Sequence, residues 1–77
     1  MRLDEIAEGE SATIIALLNN EFMLKLVEMG FYENKMLTVY SKAIGQDPIC
    51  VQIGHAKIML RKSEAEGIIV QKCQSVL

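Results

Sequence analysis

The stretch GQDPICVQIGHAKIMLRKSEAEGIIV, from Gly45 to Val70, decides which fold this sequence can adopt. Apolar and polar residues alternate over 49–53 and again over 56–61, which is the pattern of strands with one buried face. The pair Gly54-His55 stands between the two runs, and a glycine at such a place favours a tight reversal of the chain. The stretch therefore predicts a β-hairpin.

The segments around this hairpin predict three further strands and two helical pieces. Apolar, β-branched runs at 12–18, 36–42 and 68–70 indicate strands. A helix of about nine residues is expected at 21–29, and a single helical turn at 62–66. We find no internal repeat and no linker.

The ends of the predicted helix carry recognisable signals. Phe22, Leu26 and Met29 recur at helical spacing and form its apolar face. Gly30 follows the last of them, where a helix end favours a residue with positive φ. In the turn that comes next, Asn34 is the residue best able to adopt a left-handed conformation.

Together these elements predict a mainly β protein with a single domain at 1–77 and a core at about 3–72. Hydrophobic residues make up 51% of the chain, which is too apolar for a disordered segment. Five short strands in so few residues are best accommodated in a small, partly open barrel, because closure protects the strand edges. The sequence thus favours a five-stranded barrel with one short α-helix.

Charge and hydropathy exclude two classes of partner. The formal net charge is -2, and the basic residues Lys57, Arg61 and Lys62 are too few to track a phosphate backbone. We therefore predict no nucleic-acid binding. The longest run without charge or glycine, 11–20, is too short to cross a bilayer, so no direct membrane insertion is expected.

The cysteine and histidine residues bear on the cellular compartment and on whether the protein binds a metal ion. Residues 1–10 lack the pattern of an export signal, so we expect a reducing, cytoplasmic setting in which Cys50 and Cys73 are free thiols. Cys50 and His55 lie on either side of the reversal and are the candidates for a transition-metal site. No CxxC or HxH spacing accompanies them. We therefore expect no cofactor, and a divalent transition metal remains the alternative.

Catalytic motifs are absent from the sequence. It contains no phosphate-binding loop, no dinucleotide fingerprint and no Ser/His/Asp set. We predict that the protein is not an enzyme.

Three segments carry a resemblance to a known family. KLVEMGF at 25–31, GQDPICVQIG at 45–54 and KIMLRKSEAEGIIV at 57–70 follow one another in the order typical of the ferrous iron transport protein A (FeoA) family. The sequence resembles that family over residues 3–70. The positions that carry the shared structural motif are Gly30, Asn34, Asp47, Pro48, Gly54, Arg61, Glu64 and Ala65.

The resemblance implies an SH3-like barrel in the cytoplasm with no catalysis of its own. It also implies a role beside FeoB, the GTP-binding membrane transporter of ferrous iron. Three departures from the family pattern stand out. Glu33-Asn34 replaces the usual Pro-Gly, Gln46 lengthens the Gly-Asp-Pro loop, and Gly67 precedes the last strand.

A binding surface is the functional site that the sequence favours. Met23, Met29, Phe31 and Tyr32 cluster at the helix end and are the candidate partner contacts. Under the alternative, Met29 packs in the core and only Met23 or Tyr32 is exposed. The predicted function is accessory contact with the GTP-binding domain of FeoB. The second hypothesis is a free-standing, metal-sensing or homo-oligomeric module.

Overall fold

The computed structural model describes residues 1–73 and shows one antiparallel sheet with two short α-helices and two 3-10 turns, Leu3–Glu5 and Ile44–Gln46. The mainly β class and the number of strands are as predicted. The elements are β1 (Ser11–Leu17), α1 (Met23–Glu28), β2 (Met36–Lys42), β3 (Ile49–Ile53), β4 (Ala56–Leu60), α2 (Lys62–Ala65) and β5 (Ile68–Lys72).

The strands follow the order β4-β3-β2-β1-β5 in the sheet. The predicted hairpin is confirmed, because β3 and β4 pair in register from Ile49↔Leu60 to Ile53↔Ala56. Gly54 takes a positive φ of 60° in the two-residue turn, a conformation that glycine adopts without steric cost.

Two irregularities bend the sheet. The register of β1 against β5 shifts between Ile14 and Ala16. The register of β2 against β3 shifts between Val39 and Ser41. Such bulges increase strand bending and local twist, and here they lie in strands that each pair on both sides. The resulting curvature lets a small sheet wrap around one core.

A single apolar core lies on the concave side of the sheet and beneath α1. Its members come from every strand, from the N-terminal segment, from both α-helices and from the turn after α1. They are Leu3, Ile6, Ala12, Ile14, Leu26, Phe31, Leu37, Val39, Ile49, Val51, Ile53, Leu60, Ala65, Ile68 and Val70.

Helix α1 begins two residues later and ends one residue earlier than predicted, and Gly30 follows it as the predicted cap. The amide Oδ1 of Asn20 accepts a hydrogen bond from the backbone N–H of Phe22 at 2.9 Å, and this contact holds the residues before Met23 in turns. At the other end, Gly30 has φ +102°. Gly30 N–H donates to the Val27 carbonyl at 3.0 Å. This geometry is the first half of a Schellman cap.

The predicted left-handed turn residue is confirmed at Asn34, which has φ 71°. Its N–H donates to the Ile14 carbonyl at 2.9 Å, which ties the turn to β1. Gly67 leaves room for a neighbour, because a Cβ there would lie 2.8 Å from the side-chain nitrogen of Asn20.

The loop before β3 absorbs its extra residue without disturbing the ladder. Gln46 takes φ 64°, and Lys42 still pairs with Ile49 across the loop. The Asp47-Pro48 peptide is cis. The Asp47 carboxylate accepts a hydrogen bond from the N–H of Lys62 at 3.0 Å, so this loop satisfies a free donor at the start of α2.

Glu64 joins α2 to α1. Its side chain is 6% exposed and accepts hydrogen bonds from the Lys25 ammonium at 2.7 Å and from the Arg61 backbone N–H at 2.8 Å. Arg61 thus contributes through its backbone, and its exposed side chain forms no ion pair with Glu64 within residues 1–73. Burial favours the neutral acid, but the hydrogen bonds outweigh burial and lower the pKa of Glu64.

Replacing Glu64 with glutamine is expected to lower the free energy of unfolding by about 1 to 2 kcal/mol at pH 7, because two charge-assisted hydrogen bonds are weakened. The lowered pKa in the folded state means that the ionised carboxylate stabilises the fold at pH values above the ordinary pKa of a glutamate. That contribution is lost as pH falls through the folded pKa. Urea unfolding at pH 7 and pH 3 measures the difference.

Glu66→Gln is the matched control, because Glu66 is only half-buried and accepts no side-chain hydrogen bond in the described part of the chain. It is expected to change stability by less than about 0.5 kcal/mol at either pH. A Glu64→Gln penalty of equal size at both pH values contradicts this account of the carboxylate.

Candidate functional site

An apolar groove of about 340 Å³ runs beside α1. It is formed by the end of β1, one face of α1 and the turn that follows the helix. We call it the helix groove, and its lining residues are Leu17, Met23, Val27, Tyr32 and Glu33.

The amphipathic character of α1 creates this groove. Leu26 faces the core and is 1% exposed. Met23 and Val27 lie one turn apart on the neighbouring face, where they are 36% and 39% exposed. Leu24, which is 70% exposed, extends the apolar surface beyond the groove. A helix with this much apolar surface outside the core is suited to contact a partner.

Two of the four predicted contact residues line the groove. Met23 and Tyr32 are there, and Tyr32 is 45% exposed. Met29 is half-buried and packs against the core. The expectation for Phe31 needs correction, because Phe31 is completely buried.

The helix cap explains the burial of Phe31. Its N–H donates to the Leu26 carbonyl at 2.9 Å, which completes the Schellman cap and brings the chain back over the helix end. A hydrophobic contact commonly accompanies this cap, and both Phe31 and Leu26 belong to the core. Phe31 therefore supports the groove from within and is not available to a partner.

Two groove residues were missing from the predicted site. Val27 follows Met23 by four positions, so helical spacing alone was sufficient to find it. Leu17 lies in β1 and is far from the helix in sequence. Only the packing of β1 against α1 reveals its place in the groove.

The groove has a negatively charged side. Glu33 is its one charged lining residue, and Glu33 forms no ion pair within residues 1–73. On α1, the exposed Glu28 follows Val27 directly. Of the two nearby lysines, Lys25 binds Glu64 at 2.7 Å. The Lys35 ammonium stays at the groove, 5.3 Å from the centre of the Tyr32 ring.

The hairpin keeps the predicted metal candidates apart. Cys50 pairs with Met59, three rungs from the Ile53↔Ala56 pair that precedes the turn. This spacing corresponds to roughly 10 Å along the strands. Cys50 is buried, whereas His55 is exposed in the turn. The reversal does not bring the two candidates together, because a regular hairpin separates residues at opposite ends of a strand.

Within residues 1–73 we find no group of three or more His, Cys, Asp or Glu side chains that could hold a metal ion. In the same residues, no helix is sufficiently long and apolar to span a bilayer.

Comparison with known proteins shows which family the sequence matches. The FeoA domain matches residues 1–72. The Fe(2+) transport protein A/Fe(2+) transporter FeoB fusion protein of Porphyromonas gingivalis is 33% identical over 76 residues, which cover 97% of this chain and 9% of that protein. The chain therefore corresponds to a small part of that relative.

Two solved structures share the fold. The solution structure of iron(II) transport protein A from Clostridium thermocellum has a TM-score of 0.86 and 37% identity, covering 94% of this chain and 45% of that one. The crystal structure of Stenotrophomonas maltophilia FeoA with zinc, described as a prokaryotic SH3 domain protein, has a TM-score of 0.83 and 29% identity, covering 92% and 89%. The predicted SH3-like fold is confirmed, and the chain belongs to the FeoA family, whose members are linked to ferrous iron transport.

Proposed function

We propose that this protein is an accessory component of ferrous iron uptake that contacts the cytoplasmic GTP-binding domain of a FeoB-type transporter. The observation that carries the proposal is the helix groove. It leaves Met23, Val27 and Tyr32 partly exposed around a cavity of about 340 Å³. Rigid aromatic and adaptable methionine side chains of this kind are typical of protein-binding surfaces.

The P. gingivalis fusion supports a transporter as the partner. There, a region similar to this chain belongs to one polypeptide with FeoB. Covalent linkage raises the effective concentration of two modules that bind each other. A domain of the same family is expected to work at the same transporter, and hence in the cytoplasm.

The chemistry of the groove favours contact over catalysis. Its lining offers four apolar or aromatic side chains and one carboxylate, without a nucleophile beside a base. We therefore propose that the protein is not an enzyme and that any nucleotide hydrolysis belongs to the transporter. The metal-sensing alternative is less favoured, because Cys50 and His55 do not converge.

Association with the transporter domain tests the proposal. The cytoplasmic GTP-binding domain of the FeoB from the same organism is titrated calorimetrically into this protein, with GDP and with a non-hydrolysable GTP analogue. The small groove predicts a transient complex with a Kd on the order of 1 to 50 μM in at least one nucleotide state. The absence of heat of binding in either state, at concentrations well above this range, contradicts the proposal.

A further inference from the structure

We propose that the occupant of the helix groove is a segment of the transporter's cytoplasmic domain that carries an apolar side chain next to a lysine or arginine. This inference rests on the proposed function and names the chemistry of the contact. It follows from the shape of the groove, from the charges around it and from the groups that the nearby lysines contact.

The floor of the groove selects an apolar side chain. Leu17, Met23 and Val27 contribute aliphatic or thioether surface, and the Tyr32 ring closes one side. The volume of about 340 Å³ is at the lower end of ligand pockets, so it admits few side chains at once. Burying apolar surface here is favourable, and part of that gain is offset by the costs of association.

The charges around the groove select a cation beside that side chain. The Glu33 carboxylate lines the groove and is exposed. It accepts no side-chain hydrogen bond from any described residue. The exposed Glu28 follows the groove residue Val27 in α1 and, although it is outside the lining, adds a second carboxylate nearby. A lysine or arginine in the occupant gains attraction from both, whereas an acidic residue is repelled.

The lysines near the groove cancel this charge only in part. Lys25 is hydrogen-bonded to the buried Glu64, and this contact draws its ammonium toward α2. The Lys35 ammonium lies near the Tyr32 ring. Among the described residues, the carboxylates of Glu28 and Glu33 therefore outnumber the one lysine, Lys35, that has no carboxylate partner near the groove, and the local charge is negative.

A second copy of this chain is a poorer occupant. In a two-fold contact the same patch meets itself, so groove against groove would bring the Glu28 and Glu33 carboxylates of both copies together. The formal net charge of -2 on each chain adds to this repulsion.

Charge reversal at the groove tests the inference. Glu33→Lys is compared with Glu8→Lys, which makes the same change in net charge at an exposed residue outside the helix groove. Binding of the FeoB GTP-binding domain is measured by calorimetry at low and high ionic strength. At low salt we expect Glu33→Lys to raise the Kd about 3- to 10-fold and Glu8→Lys to change it by less than about 2-fold.

Salt dependence separates the outcomes. The affinity of the unaltered protein is expected to fall as salt is added. The ratio of the Kd of Glu33→Lys to the Kd of the unaltered protein is expected to move toward 1 at the same time. If the unaltered protein binds and Glu33→Lys binds equally well or more tightly, the occupant is not basic and the inference fails while the proposed function stands. If the unaltered protein does not bind, both fail. A concentration-dependent dimer abolished by Glu33→Lys would also overturn the inference.

Discussion

Replacing Phe31 with alanine is expected to lower the free energy of unfolding by about 3 to 5 kcal/mol. The side chain is fully buried and belongs to the single core, so its removal leaves a cavity beneath the end of α1. A domain of this size has a total stability on the order of 5 to 10 kcal/mol. The midpoint of thermal unfolding is therefore expected to fall by at least about 12 °C.

The neighbouring aromatic residue provides the control. Tyr32→Ala removes a ring that is 45% exposed and is expected to cost less than about 1 kcal/mol. Phe31→Leu keeps most of the apolar volume and is expected to cost about 1 to 1.5 kcal/mol. Chemical unfolding followed by circular dichroism compares the three variants. Equal losses for Phe31→Ala and Tyr32→Ala would show that the burial assigned to this turn is wrong.

Local patterns predicted the strands well. The bounds of β2 and β3 are those expected from the alternation of apolar and polar residues, and the turn at Gly54-His55 is where glycine favoured it. Gly30 and Asn34 have the positive φ predicted for them. Each of these features depends on residues close together in sequence, which is why a single sequence is sufficient to predict it.

The errors have a different physical origin. The start of α1 was placed two residues early, because Glu21 and Phe22 form turns before the first helical residue, Met23. The Asn20 side chain accepts the Phe22 N–H there, as a capping residue does just before a helix. Phe31 and Tyr32 are both aromatic and adjacent, so composition does not distinguish the buried ring from the exposed one. The Schellman cap decides between them.

Contacts between segments that are distant in sequence could not be predicted from local sequence patterns. The Lys25–Glu64 pair joins residues 39 positions apart, and Leu17 reaches the helix groove only through packing of β1 beside α1. The groove therefore could be predicted in part, at Met23 and Tyr32, but its outline and its charge required the three-dimensional structure.

Replacing Tyr32 with alanine is expected to weaken binding of the FeoB GTP-binding domain by at least about 30-fold, which corresponds to roughly 2 kcal/mol. Tyrosine is enriched among the residues that dominate binding energy, because its ring buries a large area with little loss of conformational freedom. Tyr32 forms one wall of the groove, so its removal eliminates that contact area.

The chain contains a matched control for this substitution. Tyr40 is also exposed, at 55%, and its ring also has a lysine nearby, with the Lys57 ammonium 3.7 Å from the ring centre. Tyr40 lies on β2 and is not part of the groove lining. Tyr40→Ala thus makes the same chemical change at a different surface, and its expected effect on binding is less than about 3-fold.

The most direct test of the account is the Kd of the FeoB GTP-binding domain for the unaltered protein, Tyr32→Ala and Tyr40→Ala, measured side by side. Docking in the helix groove predicts that Tyr32→Ala alone raises the Kd by about 30-fold or more. Equal Kd values for all three proteins, or a larger loss for Tyr40→Ala, would contradict it and move the contact away from the groove.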